Sequence, residues 1–337
     1  MRLAAALAIL AAAASAPAGD DAGGGPRAVP LAKPETVYRM LVPGTADSLL
    51  SSPLLVVLHG ANDTSDRFID RWVGPAGARG WILVAPQARG LRWLDADGDI
   101  VLAALEDARK RCRVDPARVC LAGAGSGGLM ATRWGLEQKD RFACVFAHGG
   151  LQVRGGLKES AGKVSVLLSC GERDEFLEEA RSADAELRKA GVDSEVATWP
   201  GAEGDAAGPE VVERAFSFFE ERLARPAARL ARCVRARKEK RWPDAARECA
   251  ALLGEGVERK FRLEAENERR AIEYAGADLV RKAALRAGRE PAAGRKDLED
   301  LARAFEGLDA AVRAREALAE IDAASSPPSG TPPAGPR

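Results

Sequence analysis

The sequence contains only two histidines, His59 and His148, and no Cys-x-x-Cys pair among its six cysteines. Zinc sites are built mainly from these residue types in close pairs, so the composition argues against a metal centre. The formal net charge is zero at pH 7, although 30% of the residues are charged. This balance provides no basic surface for a nucleic acid, so we expect no nucleic-acid partner, and we expect no cofactor.

Both ends of the chain lack the pattern of a folded domain. Residues 1–18 begin with a positive charge, continue as an apolar run and end in small residues, which is typical of a secretory signal peptide. No later apolar run is long enough to cross a bilayer. We therefore predict an exported protein, periplasmic or secreted, without a transmembrane segment after cleavage. Residues 323–337 are rich in proline, serine and glycine, which predicts a disordered tail.

Between residues 35 and 222, continuous apolar runs alternate with helical stretches. Runs without polar alternation indicate strands that are buried on both faces, as in a largely parallel sheet. The fold class is therefore α/β, with a doubly wound sheet in a domain over 30–225 and the functional site at the carboxyl ends of the strands. The strands are predicted at 54–58, 81–85, 119–122, 142–146, 164–168 and 195–199.

From about residue 226 the strand pattern stops, which predicts an all-α module over 226–322. Segments 242–253 and 305–318 look like helices of tetratricopeptide repeats, but no clean 34-residue period is present. The module is a candidate surface for a protein partner. The helices are predicted at 228–240, 244–253, 258–286 and 296–321.

Two of the cysteines, Cys233 and Cys249, flank a turn at Trp242 in this helical module. Export would permit a disulfide between two antiparallel helices at this point. Two buried thiols are equally compatible with the spacing, and both alternatives stay open.

Residues 115–131 carry the most specific motif, Asp-Pro-Ala-Arg-Val-Cys-Leu-Ala-Gly-Ala-Gly-Ser-Gly-Gly-Leu-Met-Ala. The segment resembles the nucleophile elbow of α/β-hydrolase esterases, namely the polyhydroxybutyrate-depolymerase-like, feruloyl-esterase-like and phospholipase/carboxylesterase groups. Their common form is Asp-Pro-x-Arg-Val-x-x-x-Gly-x-Ser-x-Gly-Gly-x-Met-Ala. The resemblance extends over roughly 35–222, and it implies the α/β-hydrolase fold.

In the elbow, small residues two before and two after the nucleophile make room for a sharp turn between strand and helix. Gly123 and Gly127 match these two positions, and Gly128 matches the glycine that follows. The nucleophile position therefore falls on Gly125, which has no side chain. Shifting the motif by one residue would instead place Ser126 at the apex, as in elbows that begin with alanine.

The remaining triad positions are only partly filled. Asp174 lies in Leu-Leu-Ser-Cys-Gly-Glu-Arg-Asp, which resembles the motif of the acid that orients the catalytic histidine. The alternative is that Asp174 caps a helix that begins at Glu175. The family's histidine follows the last strand, and Gly204 stands at or beside that place. No histidine occurs after His148, so a serine here would lack its general base.

The resemblance also implies an oxyanion hole. The segment His59-Gly60-Ala61 matches the family's His-Gly turn, in which the histidine is structural and the backbone N–H of Ala61 is a donor, together with that of Ser126. His148 follows another strand and would lie at the same edge of the sheet. We expect a pocket residue there, and a substitute base is the alternative.

Two weaker patterns are a run of alternating carboxylates at 95–99 and three tryptophans, Trp72, Trp81 and Trp93. The carboxylates lack the rest of a calcium loop and predict a polar turn, with Asp99 capping a helix from Ile100. The tryptophans fit either a pocket wall or the core.

Three functions follow from these patterns. The first is an exported, catalytically inactive member of the serine-esterase type, which binds an acyl or ester ligand or a protein partner. The second is an active carboxylesterase that uses Ser126 with a non-standard base such as His148. In the third, the hydrolase domain is a folded platform for the helical module.

Overall fold

The computed structural model describes residues 25–32, 34, 36–44, 50–153, 157–200, 208–254 and 257–325. The predicted signal peptide, the segment 201–207 that contains Gly204, and tail residues 326–337 lie outside these ranges. The chain divides into two compact units between Arg225 and Pro226.

Within the described residues of the first unit, eight strands form one sheet in the order β1-β2-β4-β3-β5-β6-β7-β8. The pairs β1·β2 and β2·β4 are antiparallel and the others are parallel, which confirms the predicted doubly wound α/β class. The strands are β1 (Arg27–Leu31), β2 (Thr36–Leu41), β3 (Ser52–Leu58), β4 (Ile82–Pro86), β5 (Val114–Ala124), β6 (Cys144–His148), β7 (Ser165–Gly171) and β8 (Asp193–Trp199).

Strands β1 and β2 were absent from the sequence prediction. Their buried residues alternate with exposed ones, as in Val29 and Leu31, so no continuous apolar run marks them. The central strand β3 is buried at every residue, which is why its apolar run is unbroken.

Helices cover both faces of the sheet. A cluster with Phe68, Trp72 and Phe216 fills one face, and a cluster with Leu105 and Met130 fills the other. Helix α1 was not predicted, because Pro75 and two glycines inside it lower its helix propensity. The helices of this unit are α1 (Ser65–Arg79), α2 (Gly98–Arg111), α3 (Ser126–Glu137), α4 (Leu157–Ser160), α5 (Leu177–Lys189) and α6 (Pro209–Ala224).

Two of the three tryptophans belong to the core. Trp72 and Trp81 both make edge-to-face contacts with Phe216, at 5.9 and 5.5 Å between ring centroids. Trp93 is also buried, but it lies next to His59 at the carboxyl edge of the sheet.

The described residues of the second unit form helices joined by short turns. The single helix predicted at 296–321 is wrong: the chain breaks at Phe305–Leu308, where Gly307 takes a φ of 80° that favours glycine. The last helix reaches Ser325, so 323–325 of the predicted tail are helical. The helices are α7 (Pro226–Lys238), α8 (Trp242–Leu253), α9 (Arg259–Ala287), α10 (Pro291–Ala304) and α11 (Asp309–Ser325).

This unit has its own apolar core, in which Trp242 stacks on Phe305 at 5.6 Å. Cys233 and Cys249 are buried in it as free thiols, and the four cysteines of the first unit are also free. The Cys233 thiol donates to the carbonyl of Ala245 at 3.4 Å, and the Cys249 thiol to that of Ala265 at 3.1 Å. The disulfide that the sequence left open is therefore not formed in this structure. Across the described ranges, no helix has the length and apolarity needed to cross a membrane.

Candidate active site

The carboxyl ends of the parallel strands bring the predicted site residues to one edge of the sheet. His59 follows β3, Gly125 follows β5, His148 ends β6, and Asp174 lies in the turn after β7. Neighbouring strands are about 4.8 Å apart, so β7 lies about 10 Å from the elbow strand, with β6 between them. The four residues therefore belong to one candidate site.

Gly125 lies at the apex of the turn between β5 and α3, with φ 52° and ψ −121°. Its N–H donates to the carbonyl of His148 at 2.8 Å, and its own carbonyl accepts from the N–H of Leu129 at 3.0 Å. These bonds hold a backbone conformation that is costly for any residue with a Cβ atom. The apex of the elbow therefore carries no side chain.

The neighbouring glycines allow very close backbone packing. A Cβ added to Gly127 would lie 2.2 Å from the carbonyl oxygen of Leu58, and one on Gly123 would lie 2.2 Å from that of Gly127. A Cβ on Gly128 would lie 2.6 Å from the carbonyl oxygen of Gly150. The turn therefore packs directly against β3 on one side and against the segment after β6 on the other. This close packing requires glycines whether or not the turn carries a nucleophile.

Ser126 is the first residue of α3, one position past the apex. Its Oγ is buried and has no hydrogen-bond partner in the described part of the chain, so it is not bonded to His148. A serine becomes a nucleophile when a base accepts its proton, and no such contact is present here.

His59 is held in one tautomer by its surroundings. Its Nε2 accepts the N–H of Ala88 at 3.2 Å and lies 3.1 Å from Nε2 of Gln87. Because Nε2 is an acceptor, Nδ1 carries the proton and donates to the carbonyl of Gly60 at 2.8 Å. Burial lowers the pKa of His59, which favours this neutral form. The histidine therefore shapes the turn.

The turn after His59 is fixed from a second side by Trp93. The indole Nε1 donates to the carbonyl of His59 at 2.9 Å. Ala61, the implied oxyanion donor, is exposed in this turn, and the N–H of the next residue, Asn62, donates to Leu91 at 2.7 Å. Sequence reasoning missed Gln87, whose only signal is its position directly after β4.

His148 belongs to a buried hydrogen-bonded group that the sequence did not reveal. Its Nδ1 lies 3.0 Å from Oγ of Ser169, and Nε1 of Trp199 donates to the same oxygen at 2.8 Å. The three residues stand near the ends of adjacent strands β6, β7 and β8. Their positions on neighbouring strand ends were the available signal, but the pairing depends on the sheet register.

One carboxylate oxygen of Asp174 accepts a hydrogen bond within its own turn. Oδ1 accepts the N–H of Phe176 at 2.9 Å, in the turn before α5. The helix begins at Leu177, so the predicted cap of a helix starting at Glu175 is wrong by two residues. The second oxygen, Oδ2, is buried and has no hydrogen-bond partner within the described ranges.

The carboxylates at 95–99 pair with arginines. Arg89 donates to Asp97 at 3.1 Å and to Asp99 at 2.7 Å, and Arg133 pairs with Asp95. The hydrogen bond from Arg89 holds the pKa of Asp99 below its usual range. Helix α2 begins at Gly98, so Asp99 lies in its first turn. The residues that the structure describes contain no group of three potential ligands able to hold a metal ion.

One protein family matches part of the chain. Residues 90–205 match the dienelactone hydrolase family, over the part of the chain that contains the elbow and the strands from β5 to β8. None of the curated proteins matches the sequence at a significant level.

Among solved structures, a thermostable esterase is 17% identical with a TM-score of 0.48, covering 58% of this chain and 62% of its own. The chain thus spans less than two thirds of that esterase. S-formylglutathione hydrolase from Staphylococcus aureus is 14% identical with a TM-score of 0.49, covering 60% of this chain and 98% of its own. A ferulic acid esterase is 18% identical with a TM-score of 0.49, covering 59% of this chain and 96% of its own.

The family match falls on the elbow, and the described sheet places that elbow between a parallel strand and a helix at the carboxyl edge. The acid position after β7 and the His-Gly turn after β3 lie at the same edge. The first unit therefore has an α/β-hydrolase-like fold, and its residues 90–205 resemble the dienelactone hydrolase family.

Proposed function

We propose that the α/β-hydrolase domain binds a carbonyl-containing ligand, an ester or another acyl compound, without hydrolysing it. The observation that carries this proposal is Gly125, which occupies the elbow apex with φ 52° and ψ −121°. An α/β-hydrolase attacks its substrate with the side chain at this position. Glycine has no atom that can form the acyl-enzyme bond.

The lack of a general base supports the same proposal. The sequence has no histidine after His148, whereas the triad of this fold ends with one. Both ring nitrogens of His59 are hydrogen-bonded, Nδ1 to Gly60 and Nε2 to Ala88, and Nδ1 of His148 contacts Ser169. The rival proposal, an esterase that uses Ser126 with His148, requires a hydrogen bond that the buried Oγ of Ser126 does not make.

The polar groups left at the site favour binding. The first N–H groups of α3, beginning at Ser126, have no partner within the helix and can donate to a carbonyl oxygen. Oγ of Ser126 and Oδ2 of Asp174 are buried without partners in the described ranges. Leaving such a group unpaired costs about 1–3 kcal/mol. A ligand that accepts at Ser126 and donates to Asp174 would remove this cost.

Hydrolysis provides the direct test. The purified protein should not react with a fluorophosphonate probe, and it should hydrolyse p-nitrophenyl acetate and butyrate no faster than the Ser126→Ala variant. Turnover well above this variant would overturn the proposal in favour of the active esterase. Covalent labelling at Ser126 would do the same.

Binding is measured separately, by the shift in melting temperature with p-nitrophenyl butyrate or methyl ferulate. The second compound carries a phenolic donor besides its ester carbonyl, so Asp174→Ala should reduce its effect more than that of the first. Asp140→Ala, at an exposed ion pair with Lys163, is the matched control. No shift with either compound would contradict the binding half of the proposal.

We also propose that the protein works outside the cytoplasm, because residues 1–18 have the pattern of a signal peptide. Fractionation of cells that express the full chain tests this point. Recovery of the uncleaved chain in the cytoplasm would contradict it.

A further inference from the structure

The longest helix of the second unit, α9, exposes three large apolar side chains along one line. Leu263, Tyr274 and Leu285 are 49%, 81% and 63% exposed. Each is eleven residues from the next, close to three helical turns of 3.6 residues, so the three side chains lie along one line of the helix. We call this line, from Leu263 to Leu285, the α9 stripe.

The α9 stripe is not part of the core of its own unit. The opposite side of α9 is buried, with Ile272, Val280 and Ala283 in the apolar cluster of the unit. A helix that already buries one face normally shows polar residues on the other. Three large apolar side chains aligned on the solvent face, with charged residues between them, depart from this pattern and mark a candidate interaction surface.

Charged residues lie between the apolar ones at helical spacing. Arg270 precedes Tyr274 by four residues, and Asp278 follows it by four. Arg270 forms no ion pair with any residue that the structure describes, whereas Asp278 pairs with Arg281 at 2.9 Å and with Lys282. The hydrogen bonds from Lys282 and then from Arg281 hold the pKa of Asp278 below its usual range, so the carboxylate is charged at neutral pH.

The stripe is self-complementary when reversed about Tyr274. Leu263 and Leu285 are equally far from Tyr274 on either side, and so are Arg270 and Asp278. In two antiparallel copies related by a two-fold axis at Tyr274, Leu263 of one copy lies level with Leu285 of the other. Each arginine then stands level with an aspartate of the other copy. A two-fold interface requires this relation, in which residue i meets j and j meets i.

We propose that the α9 stripe is a dimer interface, occupied by the same stripe of a second copy of this chain in antiparallel orientation. A parallel pairing would place Arg270 against Arg270 and lose the opposite charges. The helix spans 29 residues, about 43 Å at 1.5 Å per residue, which is long enough for a continuous seam. This proposal is independent of what the hydrolase domain binds.

The oligomeric state of the purified full chain is the first test. Sedimentation velocity should show a dimer that dissociates on dilution, and the double variant Leu263→Lys/Leu285→Lys should stay monomeric up to about 100 µM, where even weak pairs associate. Val312→Lys, at a 51% exposed position on α11, is the matched control and should dimerise like the native protein. A native protein that is monomeric throughout overturns the proposal, and so does a double variant that still dimerises.

Charge reversal tests the pairing. Arg270→Asp should raise the dimer dissociation constant about tenfold, because it places like charges level with each other at two symmetric points. Asp278→Arg should do the same, and the variant with both changes should recover at least part of the native affinity. Circular dichroism checks that each variant keeps its helices. Single reversals without effect, or a double reversal no better than the singles, would count against the antiparallel register.

A cysteine cross-link tests the orientation. Tyr274→Cys places a thiol on the proposed axis, so mild oxidation should link two copies through one intermolecular disulfide. Leu263→Cys should cross-link far less, because its counterpart is Leu285 of the other copy. Efficient linking through Leu263→Cys would indicate a parallel pair and overturn the proposal.

Discussion

Replacing Gly125 by serine would place a hydroxyl group at the apex of the elbow, and we expect the change to reduce stability without creating an esterase. The φ of 52° and ψ of −121° at this position lie where a residue with a Cβ atom is strained. Strain of this kind costs about 1–3 kcal/mol. For a domain of this size, each kcal/mol lowers the melting temperature by about 2–4 °C, so Gly125→Ser should melt roughly 2–12 °C below the native protein.

Hydrogen bonds and close packing prevent the backbone at Gly125 from changing its φ and ψ angles to relieve this strain. Its N–H is bonded to His148 at 2.8 Å, and its carbonyl to Leu129 at 3.0 Å. The carbonyl also packs so closely on Gly150 that a Cβ added there would lie 2.3 Å away. We therefore expect the substituted residue to keep the strained conformation, and the cost to appear in the free energy of unfolding.

Urea and thermal unfolding measure this cost, with Gly77→Ala as the matched control. Gly77 lies within α1, and a Cβ added there meets nothing within 4 Å. That substitution should raise stability by up to about 1 kcal/mol, because alanine favours the helix. A Gly125→Ser variant as stable as the native protein would refute the strain argument. Rapid turnover of p-nitrophenyl butyrate by this variant would refute the argument that the base is missing.

Three further predictions concern the elbow, the His-Gly turn and the cysteines. Gly127→Ala should lower the free energy of unfolding in urea by about 3 kcal/mol, because its Cβ would lie 2.2 Å from the carbonyl oxygen of Leu58 and 2.6 Å from that of His59. Burial lowers the pKa of His59, so its contribution to stability is complete above the unfolded pKa of about 6.5. That contribution is lost as the pH falls towards the folded pKa. The melting temperature of His59→Gln should therefore fall less steeply with decreasing pH across this range than that of the native protein. The unfolded, unreduced protein should titrate six thiols with Ellman's reagent, since all six cysteines are free, and four would indicate a bridge such as Cys233–Cys249.

The sequence was sufficient for the α/β class, because strands buried on both faces must be continuously apolar. The run at β3 shows this directly, and the break in pattern after about residue 225 marks the helical unit. The edge strand β1 and its neighbour β2 escaped prediction, because their buried residues alternate with exposed or half-buried ones. The break at Gly307 also escaped, because the helical spacing continues across it.

The sequence by itself also determined one chemical property, the lack of any histidine after His148, since composition does not depend on folding. Only the tertiary structure decided that Gly125 and not Ser126 lies at the apex, because the turn is held by contacts with β3 and with the end of β6. The pairing of His148 with Ser169 and the unpaired oxygen of Asp174 likewise depend on strand register and burial. The α9 stripe follows the same rule: spacing shows that its residues share a line, but only packing shows that the line faces solvent.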